Sequence, residues 1–300
     1  MVYAAVRGII FIVLLLIIGS QTAADLVRRG LQADPELDPA IHVRLRRMLA
    51  PLLIAFVVAC LAKLALQILS MRDPGDPITS DLVEAVVGSR PWGASWVLQI
   101  SATFLFLGWL AIGGARKGLA NFIAAAFSWL LAWNQSGMGH AAGGKWPGSL
   151  GRWLDTVHIL GLGLWLGTLT ALAIVAFPML RGEERLPSLA RVVRAFSLVA
   201  RIGVATVIVS GVIVAIRYVG PIATIAQSSW GRLLLIKIAC MLGVMALGWY
   251  NWRVVTPALD GRHPTCRQRL RTAVRLELAL GFVMLVLTAF LVASALPGEG

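Results

Sequence analysis

Apolar blocks of about 20 residues recur along this chain, and each is long enough to cross the hydrocarbon core of a bilayer. Because the blocks are continuous and lack the alternation of strands, they favour helices over an outer-membrane barrel. The sequence therefore predicts an all-α, polytopic membrane bundle of eight transmembrane helices, forming one integral membrane domain over residues 1–300. The predicted spans cover 3–22, 50–69, 94–113, 119–135, 153–177, 196–218, 232–252 and 275–296.

The composition excludes a cytosolic enzyme and a disordered chain. Hydrophobic residues make up 58% of the chain and charged residues 14%, whereas soluble domains carry about 25% charge. The first block resembles a signal peptide in length, but Arg7 alone precedes it while Arg28 and Arg29 follow it. Because this basic flank lies on the wrong side for a signal peptide, we expect the block to be retained as a helix.

Positive charge is concentrated in alternate connections between the predicted spans. The formal net charge is +13, and 18 of the 27 Lys and Arg residues fall in the odd-numbered connections, against six in the even-numbered ones. The positive-inside rule then places the odd connections in the cytoplasm and both termini in the periplasm of a bacterial inner membrane. Contacts with anionic membrane lipid explain the basic balance, so no nucleic-acid partner is expected.

The three cysteines, Cys60, Cys240 and Cys266, do not form a disulfide framework. None falls in an outer connection, and the chain contains no CxxC motif. Packing as small apolar side chains is the simplest role for Cys60 and Cys240. A copper(I) role stays open, because thiolates suit that soft ion.

Two lysines lie inside apolar runs, where a charge is costly and indicates function unless the side chain reaches the interface. We expect Lys63 to extend to the membrane surface. For Lys237 two roles stay open: its side chain extends to the membrane surface, or it faces the interior of the bundle and lines a path there. Met241 and Met245 share one helix face close to Lys237. Packing is their simpler role, and the alternative is a transport path formed by Lys237, Met241 and Met245, whose thioethers bind copper(I).

The informative histidines are His140 and His158, which flank the connection between the fourth and fifth predicted spans. The other two, His42 and His263, lie among arginines in cytoplasmic connections. Adjacent antiparallel helices can bring the rings of His140 and His158 within reach of one metal ion. The charge pattern places this pair on the periplasmic side.

Two neighbours extend this candidate metal site. Asp155 lies three residues before His158 on the same helix face, so its carboxylate can orient the imidazole or bind the metal directly. Met138 lies two residues before His140 and offers a soft sulfur ligand. Imidazole and thioether together suit copper better than calcium or magnesium. The predicted metal ligands are therefore His140, His158, Asp155 and Met138.

The stretch 153–167, WLDTVHILGLGLWLG, resembles the D-x-x-H…W-x-G core of the copper resistance protein D (CopD) family. The resemblance is most specific over 139–253 and looser over 1–135, which suggests a first four-helix half at 1–135 and a CopD-like half at 136–300. Further segments similar to that family are Arg7-Gly8, the GHAA run at 139–142, Phe196-Ser197, Ser210-Gly211, the WGRLLLIK run at 230–237 and Asn251-Trp252-Arg253.

The resemblance implies an inner-membrane protein of eight spans that moves copper from periplasm to cytoplasm, often with a periplasmic CopC-like partner. It implies His140 and His158 as ligands and Asp155 as the residue that orients them. The outer connections of this chain carry few Met or His residues. A copper-binding partner is therefore expected to deliver the ion.

Copper transport is thus the leading hypothesis, and the chain is not expected to be an enzyme. The sequence contains no GxxxxGK[ST] motif for ATP binding. We therefore expect copper to move passively or coupled to another ion. The alternative is a b-type cytochrome or oxidoreductase in which His140 and His158 bind haem b from both faces of the iron. A third hypothesis is an assembly factor without a transported substrate.

Overall fold

The computed structural model describes residues 2–32, 36–113, 119–139, 147–218, 228–261 and 263–293, and within these ranges the chain forms helices and turns without a β-strand. Two long helices contain π-helical turns, which are wider than an α-helical turn. The helices are α1 Val2–Gly30, α2 Asp38–Arg47, α3 Leu49–Met71, α4 Ser80–Gly88, α5 Trp92–Ala111, α6 Ala120–Gly137, α7 Leu150–Met179 with π turns at Gly163–Gly167 and Leu172–Ala176, α8 Leu186–Tyr218, α9 Ser229–Tyr250 continued by a π turn at Asn251–Val255 and a short helix at Thr256–Asp260, and α10 Cys266–Ala293.

Seven helices in the described ranges are long and apolar enough to cross a membrane, so a multi-pass, all-helical membrane protein is confirmed. The predicted span 119–135 is α6, which does not reach the same hydropathy because it carries Asn121, Asn134 and Gln135. The count of eight crossings therefore stays a prediction. Asn134 and Gln135 are buried, so these polar groups face the interior of the bundle.

Helices α1 and α7 form the centre of the bundle, where glycines allow their backbones to touch. A Cβ atom added to Gly19 of α1 would overlap the backbone of Gly167 of α7, and Gly163 lies directly against α1. Gly161 and Gly203 bring α7 and α8 together in the same way. Only residues without a side chain permit this close approach of two helix backbones.

One end of the bundle, here called the amino end, holds the first residues of α1. The Tyr3 hydroxyl donates to Oε1 of Gln67 near the end of α3 at 3.0 Å. Arg152, at the start of α7, donates to Oγ of Ser95 near the start of α5 and to Oδ1 of Asn134 near the end of α6, both at 3.4 Å. Successive helix starts and ends thus meet at the amino end.

The opposite end of the bundle is held together by arginines on backbone carbonyls. Arg191 near the start of α8 donates to the Gly30 carbonyl at the end of α1 over 2.9 Å. Arg267 near the start of α10 donates to the Leu180 carbonyl just after α7 over 3.0 Å. The opposite end therefore collects the ends of α1 and α7 with the starts of α8 and α10, as an antiparallel arrangement requires.

Candidate functional site

His158 on α7 is held by one ring nitrogen, so that the other is left open. Its Nδ1 atom lies 2.9 Å from Oγ of Ser210 on α8, and the Val207 carbonyl lies beside the same ring. The Ser210 hydroxyl donates to the Thr206 carbonyl at 2.6 Å. Because a hydroxyl has only one proton, Nδ1 of His158 is the donor to Ser210, and Nε2 keeps its lone pair. This is the state in which histidine binds a metal ion.

A small cavity of about 20 Å³ lies beside His158, between α7, α8, α9 and α10. Its wall includes Trp165, Lys237, Met284 and Thr288. That volume admits one water-sized ligand. Met284 is buried and brings a thioether to the same wall as the imidazole, a pairing that suits a soft metal ion such as copper(I). The cavity is far smaller than the several hundred Å³ that organic ligands such as haem occupy.

Asp155 lies one helical turn before His158 on α7 and faces charged side chains from two other helices. Arg7 of α1 and Lys237 of α9 both lie within Coulombic range of its carboxyl group, and Ser136 of α6 lies beside it. The nitrogen of His158 that Asp155 was expected to hold is bonded to Ser210 instead. Asp155 is thus a carboxylate at the meeting point of four helices, close to the histidine but not its hydrogen-bonding partner.

Met138, at the end of α6, lies in a second polar cluster at the amino end. Its Sδ atom accepts from Nζ of Lys63 at 3.5 Å. Lys63 is only 1% exposed, and its Nζ lies 5.8 Å from the centre of the Trp92 ring. The prediction that Lys63 extends to the membrane surface is therefore wrong, because the lysine points into the bundle, where α5 and α6 cover it. Cys60 lies one turn away and donates to Oε1 of Gln99 at 3.7 Å.

The other predicted site residues do not share one site and differ in their burial. His140 lies outside the described residues. Lys237 lines the His158 cavity, and Met241 is partly buried against the core. Met245 is 48% exposed on the surface of the bundle. Among the described residues no group of three or more His, Cys, Asp or Glu side chains is placed to hold a metal ion, so a metal at His158 needs sulfur, solvent or an additional histidine.

A larger cavity of about 510 Å³ lies towards the opposite end of the bundle. Asp25, Arg29 and Arg46 line it together with apolar residues and Gln21, and its wall contains no His, Cys or Met. This donor set lacks the soft ligands that copper prefers. The smaller cavity at His158 is therefore the one with suitable chemistry.

Sequence reasoning left three residues out of the site. Met284 and Glu277 are not among the predicted site residues, and Ser210 enters only through the Ser210-Gly211 segment of the family resemblance. Glu277 lies just inside the predicted span 275–296, and a carboxylate inside a span is itself a signal of function. The proximity of Met284 and Ser210 to His158 has no signal in the sequence, because these residues are far apart along the chain.

Sequence models of known families match two parts of this chain. The sequence model for "Copper resistance protein D-like, N-terminal domain" matches residues 1–151, which is half of the chain, and the model for "Copper resistance protein D" matches 190–291. The chain belongs to the copper resistance protein D family. Its members are copper resistance membrane proteins, so a copper-related role follows, and the haem alternative gains no support.

A relative from Pseudomonas syringae pv. tomato, named copper resistance protein D, is 26% identical over 224 residues. The alignment covers 69% of this chain and 70% of that protein. No solved structure matches the chain. The stretch 153–167, which carries Asp155 and His158, lies between the two ranges that match the family models. Family membership therefore rests on the two halves of the chain, and the role of His158 rests on the geometry of the site.

Proposed function

We propose that this chain moves copper across the bacterial inner membrane from the periplasm to the cytoplasm, with His158 as the central ligand. The observation that carries the proposal is the arrangement of His158. Its Nδ1 atom is fixed by Ser210, and its ring lines a cavity whose wall also includes the Met284 side chain. Imidazole nitrogen and thioether sulfur form a donor pair for copper(I), which tolerates low coordination by soft ligands.

Eight crossings and periplasmic termini are part of this proposal. Arg152 at the start of α7 contacts both the start of α5 and the end of α6. These contacts support a return of α6 from the far end of α5 to the amino end, and its 18 residues span about 27 Å. The connections at the amino end contain few Lys and Arg residues, so the positive-inside rule favours a periplasmic location for this end.

Copper would enter at the amino end and reach the cavity past Asp155. We propose that His140, Met138 and Asp155 form the entry side of the route, and that a periplasmic CopC-like partner supplies the ion. Asp155 is a carboxylate in Coulombic range of Arg7 and Lys237. While no copper is bound, Arg7 and Lys237 offset the negative charge of Asp155. When a copper ion arrives, its positive charge offsets the carboxylate instead. Lys237 would then line the route, since it borders the same cavity.

Copper uptake into vesicles tests the proposal. Wild-type protein and the His158→Ala variant are reconstituted, copper(I) is added outside, and the metal retained inside is measured. We expect uptake by the wild type and its loss in His158→Ala, with His263→Ala as the matched control, since His263 is exposed and its ring bonds only to Thr265 among the described residues. Normal uptake by His158→Ala would overturn the assignment. An absorption spectrum of the same sample tests for haem, because a stoichiometric Soret band that depends on His158 would favour the haem alternative.

A further inference from the structure

Glu277 on α10 is a carboxylate buried inside a helix long and apolar enough to span the membrane. It is 6% exposed. The side-chain amide of Asn251 on α9 donates to its Oε1 atom, and the indole N–H of Trp165 on α7 lies within hydrogen-bonding range of the same carboxyl group. Both donors are neutral, so the carboxylate is hydrogen-bonded but its charge is not balanced by a cation.

The charged groups on the neighbouring helices do not supply that balance. Among the described residues none forms an ion pair with Glu277. An unpaired charge in the membrane interior is costly, and uptake of a proton removes that charge. The charged and titratable groups on the helices packed against α10 are Tyr3, Arg7, Asp25, Arg28 and Arg29 on α1, Arg152, Asp155 and His158 on α7, and Arg232, Lys237, Cys240, Tyr250, Arg253 and Asp260 on α9 and its continuation.

Asn251 offers a partner to both protonation states of Glu277. Its Nδ2 atom donates to the carboxylate, whereas its Oδ1 atom is buried and has no hydrogen-bond partner in the described structure. Rotation of the amide by half a turn would present Oδ1 to a protonated Glu277, which then becomes the donor. Oδ1 is therefore an acceptor that is available to the acid form of the carboxyl group.

Trp165 connects Glu277 to the cavity beside His158. The indole is 2% exposed; it lines the cavity, and its N–H lies within hydrogen-bonding range of Glu277. Trp165 lies in the π turn Gly163–Gly167, and Asn251 begins the π turn Asn251–Val255. Such turns are frequent at functional sites, because they interrupt the regular hydrogen-bond ladder of a helix.

We propose that Glu277 is a proton-carrying residue whose proton is released when copper occupies the cavity beside His158. This inference rests on the proposed function and adds proton coupling to it. A cation in the cavity favours the negative form of the nearby carboxyl group, and departure of the cation favours the acid form. The step is a proton transfer between Glu277 and water, with no redox change. Because linkage is reciprocal, copper must bind more tightly as the pH rises.

Copper(I) binding by the purified full-length protein tests this coupling. The dissociation constant is measured between pH 6 and pH 8, and the protons released on binding are counted in weakly buffered solution. For one coupled proton the affinity changes by about tenfold per pH unit. We expect Glu277→Gln to bind copper, to release fewer protons and to lose most of this pH dependence. The matched control is Glu183→Gln, an exposed carboxylate outside the bundle, which should behave as the wild type.

A second variant covers the case in which Glu277→Gln does not fold. Trp165→Phe keeps an aromatic ring on the cavity wall but removes the N–H donor to Glu277. We expect it to bind copper with a pH dependence displaced from that of the wild type. If proton release and pH dependence are unchanged in Glu277→Gln, the proton role of Glu277 is overturned. Where only Trp165→Phe folds, the same result in that variant overturns it. Copper binding that still depends on His158 would leave the proposed function standing in either case. A wild-type protein that binds no copper overturns both.

Discussion

Nδ1 of His158 lies 2.9 Å from Oγ of Ser210, and the two residues are 52 positions apart in the chain. The Ser210 hydroxyl is itself bonded to the carbonyl of Thr206, one turn earlier on α8. This chain of two hydrogen bonds fixes both the orientation and the tautomer of the imidazole. Histidines that bind metals are commonly held in this way by a neighbour that is not itself a ligand.

Removal of the Ser210 hydroxyl should weaken copper binding without preventing folding. In Ser210→Ala the ring of His158 can rotate and change tautomer, so we expect the copper dissociation constant to rise by about 10- to 100-fold. Ser210→Thr keeps a hydroxyl and should recover most of the affinity. Ser197→Ala is the control, since the Ser197 hydroxyl donates to the Val193 carbonyl on its own helix. Wild-type affinity in Ser210→Ala would show that the hydroxyl does not position the ring.

Replacement of Met284 by leucine tests the sulfur ligand. Met284→Leu conserves volume and apolar character, so thermal stability in detergent should change by less than about 1.5 kcal/mol. Copper affinity should nevertheless fall by roughly tenfold or more, because the thioether is lost. Met245→Leu provides the control, since Met245 is 48% exposed on the bundle surface. Equal copper affinities for the two variants would remove Met284 from the site.

The contact between α1 and α7 should be intolerant of a single methyl group at Gly19. A Cβ there overlaps the backbone of Gly167, which cannot move aside as a flexible side chain can. We expect Gly19→Ala to lower the free energy of unfolding by about 3 kcal/mol or more, measured as a lower melting temperature in detergent. At Gly108 a Cβ meets no atom within 4 Å, so Gly108→Ala should melt as the wild type or higher. Equal melting temperatures would contradict the close approach.

The number and direction of the crossings can be measured by labelling single cysteines in a background where Cys60, Cys240 and Cys266 are alanine. Ser149 and Leu119 are exposed positions that flank α7 and α6 respectively. A membrane-impermeant maleimide added to intact spheroplasts should label Ser149→Cys but not Leu119→Cys. Labelling of both from the same side would mean that α6 does not cross. The opposite pattern would reverse the topology and place His158 near the cytoplasm.

Much of the architecture could be predicted because it depends on local composition. Continuous apolar runs predicted the membrane helices, and the family resemblance is confirmed by comparison. The spacing of Asp155 and His158 correctly placed them on one face of a helix. The fourth span was harder to judge, because Asn134 and Gln135 lower its hydropathy while facing the interior of the bundle.

The partners of these side chains could not be predicted, because they come from distant helices. A helical period indicates which residues share a face, but it does not indicate which helix packs against that face. Lys63 was expected at the membrane surface, yet α5 and α6 enclose it beside Met138. Glu277 likewise receives its hydrogen bonds from two helices other than its own.

The sequence by itself determined that this chain is a multi-pass helical membrane protein with a histidine near the start of a central helix. Only the tertiary structure decided that Ser210 holds this histidine and that Met284, Lys237 and Trp165 surround the cavity beside it. Composition and periodicity predict the membrane helices because the transfer of a segment from water to the bilayer depends only on the residues of that segment. Donor sets depend on the packing of helices against one another, which here is governed by glycine contacts between α1, α7 and α8.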